Sequence, residues 1–292
     1  MMPLSRAFEV VAGARFEHSA VEVRSLSTAL QESVAAPVFD DLLPAVALTW
    51  RTGNDMNLRL SATRTLSRPE YRELSPILFR EVIGGDNVRG NASLQRTLIR
   101  NYDLRWEWYP ARGEVLSAAL FAKEFDLPIE RVYQGTSGTR IIGYVNAKGA
   151  TNYGEELEAR TSLDRLTEAL RPFTLITNVT VMRSEIRIDP DAGASTTANR
   201  AMVGQAPYVV NAGLTWNHPH SDASATVLFN RVGERITEAG ESPLPDIVEA
   251  PRNVLDLSVR LPLLQALSLR LDARNLFDAE YLVSQGGEPR ES

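Results

Sequence analysis

The chain has 292 residues, of which 43% are hydrophobic and 23% are charged, a composition typical of a folded protein rather than a disordered one. The net charge of -6 argues against the clustered basic surface that a nucleic-acid-binding protein needs. The absence of cysteine excludes disulfides, thiolate metal sites and a cysteine nucleophile. No apolar run reaches the roughly 18 residues that a membrane helix requires.

Apolar and polar residues alternate along much of the chain, a pattern that indicates β-strands with one apolar face. We count about 11 such strands, many of them near the roughly 9–11 residues that a tilted membrane strand needs. In chain order they are 6–16, 44–52, 57–63, 101–108, 114–125, 140–162, 173–185, 208–216, 223–231, 255–261 and 267–275.

The segment "NYDLRWEW" (101–108) shows the pattern clearly, with tyrosine, leucine and tryptophan at even positions and polar or charged residues at odd positions. Two interpretations fit such a strand. In a soluble protein the apolar face packs on a core and the polar face meets water. In a membrane barrel the apolar face meets lipid and the polar face meets a wet lumen.

The connections favour the barrel, because short and long ones alternate. The short ones lie at 52–55, 110–113, 217–222 and 262–266, with a somewhat longer link at 163–172. The long polar ones lie at 17–43, 66–98, 126–139, 186–205 and 236–251. Loops of this length at every second connection are unusual in a compact domain. Outer-membrane barrels have short periplasmic turns and long extracellular loops.

All four tryptophans, Trp50, Trp106, Trp108 and Trp216, come shortly before a short turn. We predict that they form an aromatic girdle at one membrane interface. The predicted fold is all-β, an antiparallel up-and-down transmembrane β-barrel present as a partial barrel of about 11 strands. Glu155 fits poorly, because the alternation puts it on the lipid face; we expect it to lie near the interface or on a bulge.

Five segments occur in an order that resembles the C-terminal half of the barrel of TonB-dependent outer-membrane receptors. They are "SRPEYREL" (67–74), "NYDLRWEWY" (101–109), "FDLPIE" (125–130), "NYGEELE" (152–158) and "NLFDAEY" (275–281). The resemblance covers nearly the whole chain. It implies a 22-stranded barrel around a plug domain in the outer membrane of a Gram-negative bacterium. Such receptors import scarce large ligands such as iron chelates, cobalamin or oligosaccharides, with energy transmitted by TonB.

The resemblance also sets the expected domain organisation and partners. Residues 1–292 are expected to be a partial TonB-dependent receptor β-barrel domain, with the plug domain and the last strand absent. The expected partners are outer-membrane lipid, the missing plug and barrel strands, and the TonB energy-coupling complex acting through the missing N-terminal part; nucleic acid is not expected. Alone, such a half-barrel would leave two unpaired edges, so we expect it neither to insert stably nor to transport.

The long loops are the expected location of ligand binding, because loops carried by a rigid scaffold usually hold the recognition residues. The loop residues that we select mix charge, amide and aromatic character: Arg89, Asn91, Tyr133, Arg140, Asn199, Arg200 and Asp246. We predict no catalytic residue, cofactor or metal site. The sequence has no G-x-S-x-G motif, and His218 and His220 lie in a short turn where a solvated histidine is the usual finding.

Two alternatives remain open from the sequence. The first is a soluble all-β carbohydrate-binding protein, in which the tryptophans would line a sugar-stacking groove and the apolar faces would be buried against one another. The second is an outer-membrane enzyme on a barrel scaffold, which would need a catalytic cluster near the membrane surface.

Overall fold

The computed structural model describes residues 2–3, 5–26, 31–80, 87–136, 139–188, 199–240, 244–264 and 267–289. The strands are β1 (Met2–Pro3), β2 (Phe8–Ala20), β3 (Val23–Leu26), β4 (Glu32–Ala35), β5 (Val38–Gly53), β6 (Met56–Ser67), β7 (Leu78–Arg80), β8 (Asn87–Arg89), β9 (Thr97–Trp108), β10 (Val115–Asp126), β11 (Ile129–Thr136), β12 (Thr139–Asn146), β13 (Gly149–Ser162), β14 (Phe173–Arg187), β15 (Asn199–Arg200), β16 (Tyr208–Asn217), β17 (Ser224–Val232), β18 (Arg235–Glu238), β19 (Ile247–Glu249), β20 (Arg252–Leu264), β21 (Leu267–Ala273), β22 (Val283–Gln285) and β23 (Glu288–Pro289). The helical elements are α1 (Tyr71–Leu74) and two 3-10 turns, Leu163–Arg165 and Glu168–Leu170. None of the helices in these ranges is long and apolar enough to cross a bilayer.

Eleven long strands form one antiparallel up-and-down sheet, in the order β2-β5-β6-β9-β10-β13-β14-β16-β17-β20-β21. The short strand β1 extends the sheet beside β2, and β15 pairs with the end of β14. Within the described residues β21 does not pair with β1 or β2, so the sheet is open. The predicted partial barrel of about 11 strands is therefore confirmed in strand number and topology.

The prediction of one strand over 140–162 is wrong, because the chain changes pairing partners in the middle. Strand β12 pairs with β11 in a separate loop sheet, whereas β13 pairs with β10 and β14 in the main sheet. Between them the backbone N–H of Ala147 donates to the carbonyl of Pro128, and that of Lys148 to the carbonyl of Arg187, both at 2.8 Å. These bonds turn the chain from the loop hairpin into the main sheet.

The apolar face of the main sheet is more exposed than the polar face, which is the reverse of the arrangement in a soluble protein. On β9, Leu104 and Trp106 are 38% and 37% exposed, whereas Glu107 on the other face is only 7% exposed. Since a soluble fold would bury the apolar face, this inversion indicates that lipid lies against the apolar face. The soluble carbohydrate-binding alternative is therefore not favoured. We call the apolar face outward and the polar face luminal.

A chain of ion pairs crosses the luminal face from β6 to β13. Arg59 on β6 lies 2.9 Å from Glu107 on β9, and Glu107 also pairs with Arg105 at 3.1 Å. Arg105 then reaches Glu158 on β13 at 2.6 Å. Because these four charged groups satisfy one another, this part of the luminal face can be half-buried without unpaired charges.

The register of the strands brings three of the tryptophans to one height. Trp50 and Trp106 are in register across β6, and the same register line continues to Val210 on β16. Measured from this register line, Trp108 lies two residues nearer the short-turn end on β9, the second strand after β5. Trp216 lies six residues nearer that end on β16, the sixth strand after β5. Trp50, Trp108 and Trp216 thus advance by one residue per strand. Strands tilted by about 35° bring such positions to one height, and membrane barrels have tilts of this size. This alignment supports the predicted girdle, which stays a prediction.

Glu155 lies on the outward face, and the bulge that we considered for it is absent. It pairs in continuous register with Leu120 on one side and Val181 on the other. The next outward pair towards the loops is Tyr153 with Arg183. Glu155 therefore has an aromatic and a basic residue one outward position nearer the loops, and its location near an interface stays a prediction.

The buried hydrophobic core lies in the long connections and at the adjoining strand ends. One cluster consists of Ala35, Leu74, Val88, Leu94, Ile142, Tyr144 and Ile247. A second consists of Val132, Val145, Ala147, Ala150, Ile186 and Ile188. The long connections that the sequence predicts as polar loops thus contain short strands and pack together into what we call the loop layer.

At the opposite end of the sheet, Glu114 fixes the link at 163–172. Its carboxylate accepts hydrogen bonds from the backbone N–H of Ser162 at 2.8 Å and from the guanidinium of Arg165 at 2.7 Å. Burial acts to raise the pKa of the Glu114 carboxyl, but the hydrogen bonds from Arg165 and Ser162 outweigh it, so that the pKa is lowered.

Ala118 and Ala119 provide a matched test of the two faces. Ala118 is in register with the outward Trp106, and Ala119 with the luminal Arg105. In the complete receptor, we expect Ala118→Arg to lower the free energy of unfolding by roughly 1–2 kcal/mol, because it puts a charge on the lipid face between the interface and the bilayer midplane. Ala119→Arg should cost much less, because Glu156 lies opposite it. Urea titration in phospholipid vesicles measures both; equal losses would contradict the assignment of the faces.

The lowered pKa of Glu114 predicts a pH dependence. Its contribution is fully present above the ordinary glutamate pKa and is lost as the pH falls from there through the lowered pKa. Glu114→Gln should lower the free energy of unfolding by roughly 1–3 kcal/mol at neutral pH and flatten the acid limb. Urea titrations of both proteins across the acid range check this; parallel curves would show that another group controls acid sensitivity.

Candidate ligand-binding site

The loop layer is joined by pairing between connections that are far apart in sequence. Strand β8 pairs in parallel with β12, with Val88 opposite Ile142. Asn91 follows this strand, and its side-chain amide donates to the carbonyl of Tyr144 at 3.1 Å. Asn91 therefore holds two connections together. Arg89 is exposed on β8, where a ligand could reach it.

Arg200 is buried against a carboxylate of another connection. Its guanidinium lies 2.9 Å from Glu130, and the two side chains are 3% and 5% exposed. Burial raises the pKa of the Glu130 carboxyl, and the charge and hydrogen bond of Arg200 oppose that rise. The pair links β11 to β15. The sequence gives no sign of this pairing, since the two residues are 70 positions apart.

The other selected residues are distributed over the same loop layer. Asn199 is exposed at the start of β15, opposite Arg187. Asp246 accepts a hydrogen bond from the backbone N–H of Gly240 at 2.8 Å and so closes a bend in its connection. Tyr133 and Arg140 lie in the β11–β12 hairpin, but their side chains are outside the described residues. Ligand contact by any of the seven selected residues stays a prediction.

Below the loop layer, the luminal face carries a cavity of about 310 Å³. Its lining comes from β9, β10, β13, β14 and the turn after β15: Asp103, Ala119, Phe121, Lys123, Phe125, Asn152, Glu156, Thr180, Met182 and Gln205. Gln205 reaches the cavity because a tight turn returns the chain, with its backbone N–H donating to Met202 at 3.2 Å. Gly204 permits that turn with a φ of 81°.

Three polar groups of the cavity are free to bind a ligand. Lys123 is exposed and directly opposite Asn152 in register, and among the described residues it has no ion-pair partner. Asn152 is only 5% exposed, and its side-chain oxygen accepts no hydrogen bond. Glu156 is half-buried, without an ion pair in the described part of the chain. A buried amide without a partner is costly, so these groups favour a polar ligand here.

The apolar part of the lining is also suited to a ligand with flat rings. Phe121, Phe125 and Met182 form walls beside the polar groups. The cavity thus combines apolar walls with several convergent polar groups, and such groups fix the orientation of a small molecule in its site. Our sequence analysis missed it because it searched the loops only. The alternation assigns Lys123 and Asn152 to the luminal face, but the unpaired state of Asn152 depends on the tertiary structure.

No three His, Asp or Glu side chains of the described residues are grouped so that they could hold a metal ion. His218 instead packs edge-on against Trp216, with ring centres 5.6 Å apart, and contacts Ser221 at 3.0 Å. It therefore contributes to the structure of its turn.

Residues 1–276 match the family described as TonB dependent receptor-like, beta-barrel. The chain belongs to the TonB-dependent receptor family. Membership places this receptor in the outer membrane of a Gram-negative bacterium, and the family is one of transport receptors rather than enzymes.

Individual relatives agree with this assignment. The receptor is 26% identical over 253 residues to the iron-regulated outer membrane virulence protein of Vibrio cholerae serotype O1, which covers 84% of this chain and 37% of that protein. Its fold is similar to the ferric-catecholate import receptor of E. coli K12, with a TM-score of 0.66, 14% identity, and coverage of 96% of this chain and 39% of the other. It is also similar to a mutant of the ferric enterobactin receptor of Pseudomonas aeruginosa, with a TM-score of 0.61, 18% identity, and coverage of 94% and 38%. The chain thus spans well under half the length of these proteins.

Replacing Arg200 by methionine tests the buried pair. The variant leaves Glu130 buried without a cation, and we expect the loop layer to lose roughly 3–5 kcal/mol. The double variant Arg200→Met/Glu130→Met should recover most of that loss, because no charge is left unpaired. Hydrogen exchange of the backbone amides in β11 and β12 measures the local stability. Equal losses in the single and double variants would show that the pair is not what stabilises this region.

Proposed function

We propose that this chain is the C-terminal part of the barrel of an outer-membrane receptor that takes up an iron chelate. The match to the receptor family over residues 1–276 carries the receptor assignment. The ligand class is supported by relatives whose names refer to iron regulation, ferric catecholates and ferric enterobactin. A barrel with a folded plug and import driven by TonB belong to this proposal, as they do to the resemblance described above.

The ligand would enter through the loop layer and contact the luminal cavity beneath it. A ferric catecholate carries negative charge and flat aromatic rings. Lys123 offers a cation that forms no ion pair with the two carboxylates of the cavity, Asp103 and Glu156, and Asn152 offers an unpaired amide. Phe121 and Phe125 offer surfaces against which rings can pack. The exposed Arg89 would form a first cationic contact nearer the cell exterior.

The test uses ferric enterobactin labelled with radioactive iron and cells that lack their own catecholate receptors. We expect Lys123→Glu, in the complete receptor, to weaken binding about 10- to 100-fold, because a charge-assisted hydrogen bond becomes a repulsion. Arg160→Glu is the matched control, since it makes the same charge reversal at the turn end of β13, outside the cavity. Equal effects of both variants would exclude the cavity as the contact site.

Two further measurements test the energy source and the ligand class separately. Cells without TonB should bind the labelled chelate normally but accumulate none of it. Uptake without TonB would contradict energy coupling. Absence of binding by the unmodified receptor to ferric enterobactin and to other ferric catecholates would overturn the proposed ligand class.

A further inference from the structure

The outward face of the sheet has a second polar feature at its loop end, distinct from the luminal cavity. A groove of about 350 Å³ opens there across β6, β9, β10, β13 and β14. It is lined by four cationic and two acidic side chains, together with neutral residues: Arg64, Arg100, Lys148, Arg187, Glu124, Asp126, Leu98, Phe125, Gly149, Ala150 and Thr151. We call it the rim groove.

The groove lies at the height of the outer membrane interface. Arg100 and Trp108 are both outward on β9 and are eight residues apart. At a tilt of about 35° this separation is about 22 Å in height, close to the roughly 25 Å apolar band of outer-membrane barrels. Trp108 lies at the end with the short turns, so Arg100 lies at the end with the long loops, which faces the cell exterior.

The positive charge of the arginines in the rim groove is only partly neutralised by carboxylates of the described residues. Arg64 and Arg100 are directly opposite each other on neighbouring strands, an arrangement that is destabilising for like charges. Arg100 pairs with Glu124 at 3.1 Å, but both side chains are more than half exposed, at 60% and 53%. Arg64 and Arg187 have no ion pair among the described residues. An anion between these groups would relieve the repulsion.

Arg187 reaches over Gly149 at the floor of the rim groove. The two residues are in register, and a Cβ at Gly149 would lie 3.2 Å from the carbonyl oxygen of Phe125 and 3.6 Å from a guanidinium nitrogen of Arg187. Arginine and lysine side chains both bind phosphate groups through their positive charge. At this height and on this face, the phosphates within reach are those of the outer-leaflet lipid, and cationic residues at a membrane surface attract anionic headgroups.

We propose that the rim groove binds a phosphate group of the phosphorylated glycolipid of the outer leaflet, with Arg64 and Arg100 as its main contacts. Binding at this site is independent of the chelate proposed for the lumen, because the two sites lie on opposite faces of the sheet. The lipid fills the groove beside the barrel wall and neutralises the paired arginines.

The experiment measures lipid A bound to the complete receptor in detergent, by native mass spectrometry. We expect diphosphorylated lipid A to bind, and Arg64→Ser/Arg100→Ser to weaken it about 30-fold, since each cation at a membrane surface contributes about fivefold. Arg112→Ser/Arg171→Ser is the control, because it removes the same charge at the short-turn end. Arg64→Lys/Arg100→Lys should keep much of the binding.

Each contrary result would overturn the proposal. Equal weakening of lipid A binding by Arg64→Ser/Arg100→Ser and by Arg112→Ser/Arg171→Ser would show that binding depends only on the net charge of the receptor. Equal binding of lipid A with its phosphates removed would exclude phosphate recognition. Displacement of the lipid by excess inorganic phosphate at modest concentration would assign the site to free phosphate. If the serine pair loses binding through misfolding, its backbone circular dichroism will differ, and the lysine pair then decides: loss of binding in a folded lysine pair contradicts the proposal.

Discussion

A bilayer gives backbone N–H and C=O groups no partners, so every strand that crosses it must pair with a neighbour. This requirement accounts for the uninterrupted order of eleven strands, each bonded to the strands before and after it in the meander. It also explains why the chain changes partners at Ala147 and Lys148 rather than continuing from β12 into β13. Strand β12 belongs to the loop layer, where water and other loops satisfy its backbone. The open edges at β2 and β21 need further strands before the sheet could enclose a lumen.

The same requirement inverts the usual distribution of hydrophobic residues. Leu104 and Trp106 contribute to a face that meets lipid, so they stabilise the protein in the membrane without packing on a core. Hydrophobic packing inside the protein is instead found in the loop layer, where Val88 and Ile142 come together from distant connections. The luminal wall is held by ion pairs such as that of Arg59 with Glu107. A ligand site between these two regions is bounded by packed loops above and by a polar wall at the sides.

The sequence predicts the main sheet well and the loop layer poorly, for a physical reason. Alternation is a local signal: each strand carries its own two-residue period, so the strands and the short turns can be read one by one. The pairing of Val88 with Ile142 and the burial of Arg200 against Glu130 depend on residues more than fifty positions apart. The sequence assigned Arg200 to ligand recognition from its loop position. The structure shows its guanidinium occupied by a carboxylate, which no local pattern reveals.

The cavity shows the same division between local and long-range information. The period of β10 is enough to put Lys123 on the luminal face, and the period of β13 is enough for Asn152. That the amide oxygen of Asn152 is buried without a partner depends on the tertiary structure around it, where Gln205 from a distant turn lines the same cavity. A polar group left unpaired by its own fold is destabilising until something binds it, and such a group gains most from a ligand. Polar groups that the fold leaves without a partner, such as Asn152 in the lumen and Arg64 at the rim, are therefore suited to binding a group from outside the protein.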